Sequence, residues 1–136
     1  MILETAIAAM LTSTAPAPAL PAQPNSSCLH TPGQESPQQR DRSVAALAAA
    51  RAINTAQSQF AAKNGGKYGQ REGLVPYLDA ARYNLIEGAE IAPGFTLTLD
   101  ATGEGYWFLI KDKTDPCGFS YISNQDGLIF VAQPIR

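Results

Sequence analysis

Hydrophobic and polar positions follow two rhythms along this chain, and the change falls between Asn84 and Phe95. Upstream, Ala46, Ala49, Ile53, Ala56 and Phe60 recur at three- and four-residue spacing, which at 100° per residue places them on one helical stripe. Ser36-Pro37-Gln38-Gln39 has the form of a capping box with proline at the first helical position, so the spacing predicts a helix starting near Pro37. Asn64-Gly65-Gly66 supplies the left-handed residues that stop it, leaving a rod of about 27 residues and roughly 40 Å.

The stripe predicts a face against a sheet, with Ile53 and Phe60 as its anchors. Val44 and Leu47 point away from it, so together with Arg51 they form the candidate interaction face of the helix. The competing account is that alanine is the strongest helix former and two stray aliphatics need no partner. Asn54, Ser58 and Gln59 make the second half of the helix polar on its outer side.

From Gln70 to Gly88 the pattern Leu74, Val75, Tyr77, Leu78, Ala81 suggests a short helix opened by Pro76 and spent by Asn84. The period then drops to two. Phe95, Leu97 and Leu99 alternate with Thr96, Thr98 and Asp100, and Ala101 to Gly105 is a hairpin loop. The return strand, Tyr106 to Lys111, is apolar on both faces until its end and so should be central. Phe119–Ser123 and Leu128–Val131 form a second hairpin around Asp126-Gly127, a strong turn signal. The expected fold is α+β: one long N-terminal helix packed on a four-stranded antiparallel sheet, spanning residues 37–136.

Residues 1–36 contain no lysine or arginine and hold five of the ten prolines, a composition that cannot offset its own ordering entropy. They read as a tether or signal segment. The apolar run Met1–Leu11 is too short for a bilayer core that needs about 20 residues. It could be an export signal cleaved near Ala19 or Ala22, or a frayed helical end, since Glu4 stands where a basic start belongs. The formal net charge of -2, without runs of like charge, gives no pull toward nucleic acid or anionic membrane. The two cysteines, Cys28 and Cys117, are 89 positions apart. A bridge between them would stabilise the chain by about 4 to 5 kcal/mol, but it needs Cα atoms within about 7 Å, and two separate thiols are the alternative.

Candidate chemistry is sparse. Asp100, Glu104, Asp112, Asp115 and Asp126 all lie in or beside turns and should be solvated, whereas a catalytic carboxyl needs a shielded pocket. His30 is the single histidine, so neither a zinc site nor a histidine-activated nucleophile is expected. Asp112 and Asp115 make a poor calcium loop. No catalytic residue, metal ligand or cofactor site is predicted, and the chain reads as noncatalytic.

Three segments carry a family resemblance: ARAINTAQSQFAAKNGGKYG (50–69), FTLTLDATGEGYWFLI (95–110) and FSYISNQDGLIF (119–130). In that order they resemble the soluble head of type IV pilin-like proteins, especially the pseudopilins of type II secretion systems, over residues 44–136. The resemblance implies an exported, periplasmic or envelope-associated structural subunit. Its partners would be other pilin-like subunits or secretion-system proteins, met through the first half of the helix near Val44 and Leu47. The chain departs from the family in its short apolar run, the missing basic leader and the missing aspartate-rich loop between Lys111 and Gly118, so insertion, leader processing and calcium binding do not carry over. The alternative is a soluble periplasmic module on the same fold that binds a sugar or peptide on Trp107, Tyr106 or Tyr121.

Overall fold

A computed structural model describes residues 35–133. The tether, the apolar run, His30 and Cys28 lie outside the described residues. Helix α1 runs Pro37–Lys63, with the Ser36 hydroxyl accepting from the Gln39 amide and the Gln39 side chain accepting from the Ser36 amide, the reciprocal capping box expected. At its other end the Gly66 amide donates to the Ala61 carbonyl, with Gly65 and Gly66 at φ of 66° and 80°.

After α1 come a single turn α2 (Arg71–Leu74), a 3-10 turn (Val75–Tyr77), and then strands β1 (Glu90–Ala92), β2 (Phe95–Ala101), β3 (Tyr106–Asp112), β4 (Ser120–Asn124) and β5 (Ile129–Ala132). The strands form one antiparallel meander in the order β1-β2-β3-β4-β5, with β3 central as its two apolar faces require. The sheet therefore has five strands, not four. The extra strand, β1, is three residues long and turns at once through Pro93-Gly94 into β2, too short to display an alternation.

The predicted helix over 76–84 is absent. Helical structure stops at Tyr77, and Asp79 and Asn84 instead accept bonds from the amides of Ala81 and Ile86 in Asx turns that compete with a helix.

The core lies between α1 and one sheet face. Ala46, Ala49, Ala50, Ile53 and Ala56 are fully sealed, and the four alanines let the helix approach β1 and β4 closely while Ile53 fills the space between. Opposite them stand Phe95, Leu97, Leu99, Phe108, Ile110 and Tyr121. Phe108→Ala would cost about 3–5 kcal/mol by loss of burial and creation of a cavity. Phe60 departs from its expected place: its ring stands edge-on to Tyr77 at 6.1 Å and packs against Gly69 and Gly73, where a Cβ would meet it at 2.9 and 2.6 Å. It anchors the α2 region rather than the sheet. Gln57, sealed inside, exchanges two hydrogen bonds with the backbone of Gly69 and closes the same junction.

Candidate interaction surfaces

The polar groups nearest the core identify what is left over for function. Arg42, in the second turn of α1, makes an ion pair with Asp112 at 3.1 Å and donates to the Thr114 hydroxyl at 2.9 Å. Asp112 Oδ1 also accepts from the Thr114 amide and hydroxyl and from the Asp115 amide. Burial would raise this carboxyl's pKa, but those hydrogen bonds and the guanidinium together hold it below the usual aspartate range. Gly94 and Gly118 leave room for this cluster, because a Cβ at either would collide with Arg42 or Asp112.

The expectation that these carboxylates are solvated is thus corrected for Asp112 and Asp115, which are 6% and 2% exposed. The signal was in the alternation: Tyr106, Phe108, Ile110 and Asp112 share the inward phase of β3. Asp115 accepts from the Cys117 amide, and Cys117 is disulfide-bonded.

A second polar cluster sits farther along α1. Asn54 donates to the Ser123 hydroxyl (2.9 Å) and the Gly127 carbonyl (3.1 Å) and accepts from the Tyr106 hydroxyl (2.7 Å), while Ser123 donates to the Leu128 carbonyl (2.7 Å). Asn54 therefore faces the sheet, not the outer side expected of it. Burial, then Tyr68 and Asp126, push the Tyr106 hydroxyl up to about 12. Ser123 is 1% exposed with its proton committed to a carbonyl, so this cluster positions elements and presents no nucleophile to solvent. Among the described residues no group of three or more His, Cys, Asp or Glu side chains converges as a metal site would require.

Of the candidate interaction residues on α1, Val44 is 67% exposed and Arg51 is also exposed. Leu47 is half-buried and packs against the core, because the sheet and its flanking loops wrap more than the single stripe. The leading half of α1 is accordingly not a free rod. Its inner side is sealed from Ala46 onward, and the Ser43 carbonyl accepts from the Tyr121 hydroxyl at 3.1 Å. Only the outer side is open.

The aromatic platform suggested for ligand binding is split between the two faces of the sheet. Tyr106 and Tyr121 point into the core with their hydroxyls bonded to Asn54 and Ser43, whereas Trp107 points outward and is 45% exposed. An open groove of about 820 Å³ lies beside the 78–87 loop, lined by Leu78, Tyr83, Leu85 and Ile86 with Arg71 and Glu90. Arg71 is already committed to the Leu85 and Leu97 carbonyls. Among the described residues no helix is long and apolar enough to cross a membrane. Comparison of the chain with known protein families, with curated proteins and with solved structures gives no match.

Proposed function

We propose that this chain is a noncatalytic subunit of the pilin-like kind, working through protein contacts as a structural or accessory part of an exported secretion or pilus apparatus. The observation that carries this reading is the asymmetry of α1. Its inner side is clamped to the sheet from Arg42 to Asn54, while Val44 stands 67% exposed on the outer side, two helical turns from the exposed Arg51. The buried polar side chains of both clusters are spent on holding elements together, which leaves assembly rather than turnover as the use of the fold.

The test is Val44→Glu with Arg51→Glu in the native cell, read as the fraction of the chain that co-sediments with the envelope. Assembly through this face predicts release into the soluble fraction with an unchanged melting midpoint. Retention of the double variant in the envelope sinks the reading. The groove beside the 78–87 loop favours a second reading, a ligand-binding module. Trp107 does not line it, so that reading is tested by chemical-shift changes at Tyr83 and Leu85 in a small-molecule screen.

A further inference from the structure

The outer face of the sheet carries a pattern the helix side does not explain. Leu109, Ile122 and Phe130 stand side by side on β3, β4 and β5, making one apolar row across three strands. Phe130 is 56% exposed and Ile122 39%. On one side of this row lies Trp107 with Asp100 paired across from it, and on the other side lies Lys111. Asp100 and Lys111 are thus set on opposite sides of an apolar centre, with Glu90, already paired to Lys113, at the β1 end of the Lys111 row.

We propose that this face is a two-fold interface between two copies of the chain, a surface distinct from the outer side of α1. A two-fold axis laid along the apolar row packs that row on itself and exchanges the flanking rows. Lys111 of each copy then lies over the indole of the other copy's Trp107 and next to its Asp100, satisfying a cation-π contact and an ion pair twice. Two sheets meeting this way sit about 10 Å apart, which is the spacing of an ordinary sandwich.

Within one copy the pair is out of reach: Lys111 stands opposite Thr96, and Asp100 is four residues farther along β2, about 13 Å away. Neither residue joins an ion pair among the described residues, and Asp100 accepts only from the Gln70 side chain at 3.2 Å. A face with equal and opposite charges offers no advantage to a strongly basic or acidic partner, whereas its own copy matches it.

Strand spacing of about 4.8 Å and a row spacing near 6.6 Å give a footprint on the order of 300–400 Å² per copy, well under the roughly 800 Å² per partner of a standard stable interface. The dimer is therefore reversible, with a Kd of roughly 10 µM to 1 mM.

Sedimentation of the full chain across that range tests it. The expected result is a monomer–dimer equilibrium abolished by Phe130→Lys, with the melting midpoint unmoved because Phe130 is already half out of the fold. Asp100→Lys and Lys111→Asp should each weaken association about tenfold or more, and the double variant should restore it, since the exchanged charges again meet across the axis. A chain monomeric throughout, a dimer that survives Phe130→Lys, or a double charge variant no better than the singles would overturn the proposal. So would emission from the single Trp107 that is blue-shifted at every dilution, because another segment of the same chain would then cover the face.

Discussion

Two polar clasps hold α1 to the sheet, and they differ in kind. Near the start of the helix the clasp is ionic, Arg42 on Asp112, reinforced by three donors from Thr114 and Asp115. Midway along, it is neutral, with Asn54 linked to Ser123, Tyr106 and the Gly127 carbonyl. The neutral clasp reaches β3, β4 and the β4–β5 turn through one side chain, so its loss is shared by three elements. The ionic clasp joins the helix only to the end of β3 and the loop that follows it, and Asp112 retains its backbone donors when the guanidinium is removed. Hydrogen bonds made by a single side chain to several buried partners should therefore outweigh the charged pair, although the charged pair is the more conspicuous.

Breaking the neutral clasp gives the largest expected effect. Asn54→Ala leaves the hydroxyl of Tyr106, a residue 4% exposed, without its acceptor and removes the bonds to Ser123 and Gly127, at a cost of about 2–4 kcal/mol. Tyr106→Phe removes one bond and its own need for a partner, so it should cost only about 1 kcal/mol. Urea unfolding of the two singles and the double would show strong non-additivity, since both substitutions delete the same bond. Equal costs for the two singles would mean the clasp is not a network but a set of independent contacts.

Arg42→Met comes next, at about 1–3 kcal/mol, the range for hydrogen bonds to a charged group whose other donors survive. The contrast between the clasps sharpens with pH. Asp112 is held below the ordinary aspartate value of 3.8, so the folded chain takes up this proton less readily than the unfolded chain. The stability it supplies is complete above that value and is lost as pH falls through the lower folded-state one. Asp112→Asn should flatten this acid loss, whereas Asn54→Ala should shift the whole stability curve downward without changing its slope. A wild-type chain equally stable at pH 5 and well below 3.8 would remove the ionic clasp from the account.

How far the sequence reveals this arrangement depends on how local the signal is. The ends of α1 are written within a few residues of themselves, in the Ser36–Gln39 box and the Gly-Gly stop, and both appear where expected. The same holds for the hairpin at Asp126-Gly127, where Gly127 has φ of 74°. Strand β1 and the 78–84 segment fail that test: one is too short to have a period, and the other has an apolar helical pattern overruled by Asx turns. Both clasps were illegible because their members lie 52 to 73 positions apart. Asp112 looked like a turn residue although its phase along β3 already assigned it to the inner face. Phe60 was placed on the right stripe, but only Gly69 and Gly73, read as space for a ring, would have shown what it packs against. For the candidate surface, exposure separated Val44 and Arg51 from Leu47, a distinction that depends on how far the loops wrap the helix and not on helical spacing.

A third charged contact calibrates the ionic clasp. Lys113 pairs with Glu90 at 2.7 Å, a shorter distance than Arg42 to Asp112, and the Lys113 bond leads the causes that hold Glu90 below the usual carboxylate range. Yet the two side chains are 47% and 43% exposed, against 23% and 5% in the ionic clasp. Water and salt screen the exposed pair, and holding two long side chains in one geometry offsets what attraction remains. Lys113→Ala should leave the urea midpoint unchanged within measurement error, and raising the salt concentration should remove any residual difference. If Lys113→Ala instead destabilised the fold as much as Arg42→Met, burial would not be what makes the Arg42 pair matter.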